Sequence, residues 1–507
     1  MTYWVIAASY AALGVSEFST RFPSALAVAG LFLFIILGLG RISAACRAAA
    51  VYKVDPEAGL PVNGVNGFTT ETALLAAAIL ATVPRFFIVA RRLPIDCLFT
   101  VFLTVSLLLV MWGSCRPWMP GRSAVNIRIW LAAGFLAGLA VLTKGPVAIV
   151  IEVSIAALFA LAEKKWPWRN YLIWAGAVVL VVFPYYAVLA ARGESGAIWS
   201  FLFKENLGRY TTLVFGPSRS SFYYFRILFA DAFPWSWFLP AAVYYFHQVR
   251  KAHGGLIPGG RMTRFCAIWF TVIFVLFSIS RNKQEYYILP AYPAMAILLA
   301  WYFQGGSARA LTSLKITARM LATMFFLLAG SLLWLSAVFH IGVAGWVIPA
   351  LLLAAASFLW FRPEPPALAA GTLALLLLLA MVDVCVTFLP ALEFLRPARQ
   401  LAQQISGRLG RGDRAGYFRY TSPSMAFYLR RPILELYEND ELQQAMAEPG
   451  RLFLLMEAQT YENLPQNLKS QLSIMNTAVR IPTRAADFFN FTRSRELPRL
   501  LVVAKEE

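Results

Sequence analysis

Histidine is almost missing from this chain: His247, His253 and His340 are the three among 507 residues. That scarcity argues against a histidine-rich metal centre. The five cysteines, Cys46, Cys97, Cys115, Cys266 and Cys385, form no CxxC pair and no metal-ligand spacing. They read as single apolar residues within or beside helices. Charge is sparse as well. Only 14% of residues are charged and 59% are hydrophobic, more apolar surface than a soluble domain of this length needs. No repeat or low-complexity segment stands out, and the start, MTYWVIAASYAALG, lacks the basic region of a cleavable signal peptide.

What is present is a series of apolar runs of about 17–22 residues, the length that crosses a bilayer as helix. Window hydropathy gives about twelve spans, within residues 22–40, 70–90, 97–113, 129–143, 146–162, 171–190, 224–245, 265–280, 286–303, 319–339, 341–361 and 367–389. The net charge of +19 raises the question of nucleic acid, but its placement answers it. Basic residues crowd alternate loops: Arg41, Arg47 and Lys53; Arg116, Arg122 and Arg128; Lys164, Lys165 and Arg169; Arg250, Lys251, Arg261 and Arg264; Arg309, Lys315 and Arg319. By the positive-inside rule these loops are cytoplasmic, so no nucleic-acid partner is expected. An even number of spans puts both termini outside.

From about residue 391 the chain becomes charged, and its apolar residues fall into short strand-like runs: AGYFRY, PILELY, RLFLLME, SIMNTAVRI and PRLLVVAKE. SPSMAFYLRR and DELQQAMAEP read as helices between them. The expected fold is therefore an all-α polytopic membrane protein over residues 1–390. A small α/β extracytoplasmic domain follows over 391–507.

The outward loops hold RRLPID, TKGP, the long ARGESGAIWSFLFKENLGRYTTLVFGPSRSSFYY and SRNKQEYY. They gather Asp96, Lys144, Lys204, Glu205, Arg209, Lys283, Tyr286 and Tyr287 at one membrane surface. Such a set suits a charged lipid head group, because phosphate prefers arginine and lysine. A carboxylate can serve as general base toward a hydroxyl or amine acceptor. Asp96 is the candidate catalytic residue. Arg85, Arg92, Lys144, Lys204, Glu205, Arg209, Lys283, Tyr286 and Tyr287 are the candidate binding residues. Plainer roles compete. Cations at helix ends snorkel to the interface, Asp96 offsets a helix dipole in a first turn, and the aromatics of SFYYFRILFADAFPWSWFLP form an interfacial belt. Asp383, inside the last span, is assigned only a structural pairing.

EFSTRFPSALA, RRLPIDCLFTVFLT, GLAVLTKGPVA, FKENLGRY with FYYFRILFADAFPWSWFLP, and KQEYYILPAYPAMA follow one another in the order of a known family. The chain resembles the bacterial aminoarabinose lipid A transferases and, more broadly, the dolichyl-phosphate-mannose–protein mannosyltransferase superfamily. The resemblance implies a GT-C membrane glycosyltransferase of the inner membrane with a periplasmic C-terminal domain. Such an enzyme moves a sugar from a polyprenyl-phosphate donor, with inversion, to a lipid, glycan or protein acceptor, here lipid A or another envelope molecule. By motif, Asp96 matches an acidic position at the outer end of a helix pair at the active site, and Lys144 the TKGP lysine. Lys204, Glu205 and Arg209 match the long outer loop over the cavity.

The chain also departs from the pattern. Relatives open with a further span and a first outer loop carrying a catalytic acid and a KPP-like segment. Here the start looks like the second half of that loop, which implies either an unread upstream stretch or an inactive member that only binds lipid phosphate. FGPSRSSFYY lacks the histidine that relatives carry there, so no cofactor is expected; the divalent metal of some relatives is not supported. A lipid-linked-sugar transporter or flippase is the rival class, but the paired halves and interrupted midplane helices of transporters are not evident.

Overall fold

The computed structural model describes residues 2–51, 68–92, 95–115, 123–208, 211, 219–252, 260–305, 308–338, 342, 344–361, 365–391, 398–410, 412–420, 423–479 and 499–505. The chain divides into two compact units, Met1–Ser331 with Pro349–Met381, and Leu332–Ile348 with Val382–Glu507.

The first unit is helical. It opens with α1 (Thr2–Leu13), α2 (Glu17–Val51), α3 (Thr70–Ala81), α4 (Pro84–Arg91), α5 (Ile95–Cys115), α6 (Ser123–Lys144), α7 (Val147–Glu163) and α8 (Trp168–Ala191). Thr69 starts α3 with a reciprocal capping box to Thr72, two otherwise orphaned N–H groups being satisfied. The helix cannot run on through Pro84, which lacks an N–H and starts α4 at its first turn. The two helices therefore bend by 72°. Later come α9 (Ser195–Trp199), a π-helical stretch Ser200–Gly208, α10 (Tyr223–Asp231), α11 (Leu239–Ala252), α12 (Gly260–Ile279) and α13 (Tyr292–Gln304).

Eight helices among the described residues are long and apolar enough to cross a membrane, nine if the bent α3–α4 pair is one span. The remaining expected spans are shorter or broken. Val147–Glu163 has 17 residues, and Gly345–Phe361 is a short apolar helix. The stretch expected as 224–245 is interrupted between Asp231 and Leu239, where Pro234 and Pro240 stand close together. The helix Thr2–Leu13, which packs on α2, was not expected from sequence.

Lipid and protein divide the helix faces. Leu180 and Phe183 of α8 are exposed, as hydrocarbon-facing residues are in a bilayer. Helices α6 and α8 approach closely because Gly134 and Gly138 carry no side chain. A Cβ there would come within 2.7 Å of Ala177 and of Val181, respectively. Cys97 and Cys266 are buried free thiols, as expected, but Cys115 is disulfide-bonded rather than a lone apolar residue.

The second unit contains a five-stranded sheet in the order β2-β1-β3-β5-β4, with β1 Arg414–Phe418, β2 Leu434–Leu436, β3 Leu452–Glu457, β4 Ser473–Val479 and β5 Arg499–Lys505. β1 runs parallel to β2 and β3, while β5 runs antiparallel to β3 and β4. Alternate residues supply two cores. Leu454, Met456 and Val503 pack with the helix Asn439–Ala447, and Phe453, Leu455 and Val502 with Ala398–Ser406 and Pro423–Leu429. Burial on both faces explains why β3 and β5 read as unbroken apolar runs.

Candidate active site

The turn between α6 and α7 is TKGP. Gly145 adopts φ +93 and Pro146 starts the next helix, so the chain reverses within two residues and leaves Lys144 at the last turn of α6. Across from it, Asp96 lies in the first turn of α5. The Lys144 ammonium donates to Asp96, and both side chains are 17% exposed. The ammonium also stands 4.5 Å from the ring centre of Tyr287 and 5.2 Å from that of Phe99, within cation–π reach.

The neighbouring tyrosine leads to a second cluster. Tyr286 stacks under Arg85 at 5.4 Å. The Arg85 guanidinium donates through Nε and Nη2 to the two oxygens of Asp231 at 2.7 and 2.8 Å, the fork geometry that fixes arginine in orientation as well as position. Glu285 approaches the same guanidinium at 2.9 Å. Beneath these, the Tyr224 hydroxyl donates to the Gln284 carbonyl at 2.8 Å, and the Trp235 indole donates to Thr82 Oγ1 at 3.0 Å. The bend between α3 and α4 is thus pinned at both sides, by Trp235 at Thr82 and by Asp231 at Arg85.

Of the residues picked from sequence, Asp96, Lys144, Tyr286, Tyr287 and Arg85 come together. Lys283 does not join them: it is buried in its own turn and donates to the Ser280 carbonyl. Arg92 is exposed at the end of α4, and Lys204 is exposed on Ser200–Gly208. Arg209 lies outside the described residues, as does the side chain of Glu205. Trp235, Tyr224 and Phe238 are buried core residues, which corrects the reading of their segment as an interfacial belt; Phe222 and Phe225 do remain exposed. Asp383 keeps a buried Oδ2 without a partner among the described residues. Sequence reading missed Asp231, Glu285 and Asn206. The last donates to the Phe201 carbonyl at 2.6 Å and lies so close to the TKGP turn that a Cβ on Gly145 would come within 2.8 Å of its side chain.

The family described as dolichyl-phosphate-mannose-protein mannosyltransferase matches residues 65–188, which include the Asp96–Lys144 pair and Arg85. Crystal structures of ArnT from Cupriavidus metallidurans, in the apo state and bound to undecaprenyl phosphate, superimpose with TM-scores of 0.68 and 0.70 at 19% identity. Each alignment covers 100% of this chain and 87% of that one. The chain carries the ArnT fold. ArnT-like resemblance extends to sequence. An undecaprenyl phosphate-alpha-4-amino-4-deoxy-L-arabinose arabinosyl transferase of Pseudomonas aeruginosa is 26% identical over 59% of this chain and 48% of its own length. An uncharacterized protein of Aquifex aeolicus is 27% identical over 64% of this chain and 57% of its own. The chain thus spans about half the length of the curated relatives it matches. The resemblance to aminoarabinose transferases and their superfamily rests on both sequence and fold.

Proposed function

We propose that this protein is a polyprenyl-phosphate-dependent glycosyltransferase of the bacterial inner membrane, transferring a sugar with inversion to lipid A or another envelope acceptor on the periplasmic side. The carrying observation is the pairing of cations with aromatic rings at one end of an ArnT-like bundle, Lys144 over Tyr287 and Arg85 over Tyr286. A phosphate leaving group calls for cations held in a low-dielectric setting. Tyrosine faces suit the apolar side of a sugar or the isoprenoid next to it.

The same geometry sets a condition. Asp96, Asp231 and Glu285 already pair with the two cations. A lipid phosphate must share a cation with a carboxylate or displace one, and Glu285, 43% exposed, is the easiest to displace. Once phosphate draws Lys144 away, Asp96 is released from its partner. It can then orient an acceptor or take its proton. The tail from residue 391 is proposed as an extracytoplasmic domain; the charge bias of the loops supports that side.

Mass spectrometry of envelope lipids and glycans, with and without the gene, tests the reading. A sugar-sized mass increment that disappears on deletion, and in an Asp96→Asn strain, is expected. Identical spectra in a strain shown to make the polyprenyl-phosphate sugar would refute it.

A further inference from the structure

The far end of the same helices holds a second constellation, distant from the transferase cluster. On α6 the two are separated by most of the helix, Asn126 to Lys144, on the order of 27 Å at the rise of an α-helix. A cavity of about 340 Å³ there is lined by Asn126, Glu163, Lys165, Arg169, Asn170 and Arg261, among others. Glu163 is matched by Arg261 at 2.8 Å and Arg264 at 2.6 Å. Lys165 and Arg169 pair with no carboxylate among the described residues, so the cavity carries surplus positive charge. Asn126 is 5% exposed, and both its Nδ2 and its Oδ1 are buried without a partner among the described residues. A buried amide left with neither bond bears an uncompensated desolvation cost, which a ligand with an acceptor and a donor removes.

A second cavity, of about 290 Å³, adjoins it. Trp166 and Tyr171 line both. Its other walls are nearly all apolar, Trp130, Ala157 and Trp174 among them, with one carboxyl group, Glu152. Glu152 Oε2 accepts from Ser106 Oγ at 2.9 Å and from Trp174 Nε1 at 3.1 Å, while Oε1 has no partner among the described residues. An intramembrane carboxyl is costly and tends to mark a ligand path. The Trp130 indole N–H, also without a partner among the described residues, lies on the same side of α6 as Asn126, one turn deeper.

We propose that these two cavities form one binding site for an anionic glycerophospholipid of the cytoplasmic leaflet. The phosphate and head-group hydroxyls lie against Lys165, Arg169 and Asn126, and one acyl chain lies in the aromatic-walled cavity. Phosphate oxygens accept from Lys165, Arg169 and Asn126 Nδ2, and a head-group hydroxyl donates to Asn126 Oδ1. The ester carbonyls fall at the level of Trp130. Both the sequence of chemistry along the site (cationic, then amide and indole, then apolar) and its place in the basic loops match this one amphiphile. Basic pockets between helices on this side of a membrane take such head groups.

The test is native mass spectrometry of the full chain, delipidated in detergent and titrated with palmitoyl-oleoyl phosphatidylglycerol or phosphatidylcholine. Phosphatidylglycerol should bind in preference. A Lys165→Ala/Arg169→Ala variant, in which only exposed side chains change, should lose roughly tenfold or more in affinity, the range of charge-assisted bonds. Asn126→Leu should weaken the head group similarly. Ala157→Trp, which fills the apolar cavity, should weaken the long-chain lipid but not dihexanoyl phosphatidylglycerol. Equal binding of both head groups, or unchanged binding in the double variant, would overturn the proposal. So would inorganic phosphate alone competing the lipid off at equal concentration, because the site would then be an anion site without a tail.

Discussion

The Arg85–Asp231 fork permits a quantitative test. Both side chains are mostly enclosed, 16% and 12% exposed, and two bonds join them at 2.7 and 2.8 Å. Removing one member of a buried pair costs about 3–5 kcal/mol because the other charge is left without a partner. Here Glu285 remains at 2.9 Å from Arg85 after Asp231 is neutralised, but it is 43% exposed, and a contact so open to water returns no more than about 1 kcal/mol. Asp231→Asn is therefore expected to destabilise the protein by about 2–4 kcal/mol. Arg85→Met, which keeps the stem and leaves Asp231 without its partner, should cost a similar amount. The double variant should cost little more than either single one, a coupling of about 2 kcal/mol. Reversible unfolding in mixed micelles, followed for all four proteins, measures it. Additivity within about 0.5 kcal/mol would show that the fork carries no energy and that α4 is held by packing alone.

Asp96→Asn and Lys144→Ala should act in opposite directions on lipid. Without the carboxylate, Lys144 is free for phosphate and polyprenyl phosphate should bind at least as tightly while turnover falls; without the lysine, binding should weaken about ten- to hundredfold, measured by titration of purified protein. Gly145→Ala places a side chain at φ +93, a strain of about 1–2 kcal/mol that an added Asn206→Ala does not relieve. A lower thermal midpoint that the double variant fully restored would mean that crowding, not backbone strain, was the cause. In the second unit, the Gly410 N–H at 2.7 Å, and then Arg451 at 2.8 Å, hold the Asp413 carboxyl below the usual carboxylate range. A depressed folded-state pKa gives stability that is present above the unfolded value of about 3.9 and is lost as pH falls through the folded one. Hydrogen exchange of the 410–457 segment in the full chain should accelerate in acid, and Asp413→Asn should flatten that dependence.

Much of the fold was legible because the membrane imposes simple rules. Long apolar runs became α2, α5, α6, α8 and α12, and each of the five short apolar runs of the tail became a strand. The strands could be read because each is a short apolar run bounded by polar residues, unbroken in β3 and β5 where both faces are covered. The break in 224–245 was harder. Hydropathy sums over Pro234 and Pro240 without registering that they interrupt the helix, and Trp235 looks the same to it in a core as at an interface. The candidate site was half legible. Asp96 and Lys144 stood out as charges beside turn residues. The partner of Arg85 did not, because nothing local marks Asp231, and three-dimensional pairing across 146 residues leaves no trace in a window. Lys283 and Lys204 show the converse: two lysines in connecting segments of similar composition, one turned into its own backbone and the other exposed.

That long separation also bears on how the protein is made. The Asp96–Lys144 pair closes across 48 residues and can form as soon as α6 is inserted. The Arg85 half cannot, since its partner is synthesised 146 residues later and the Trp235–Thr82 bond spans 153. Because synthesis runs from the N-terminus at a finite pace, each nascent chain passes through a stage in which Arg85 sits at the membrane with no fixed counter-ion. During that interval the guanidinium lacks the two bonds that Asp231 later supplies. Chains that stall before residue 231 lack both ties across the α3–α4 bend, Asp231 at Arg85 and Trp235 at Thr82.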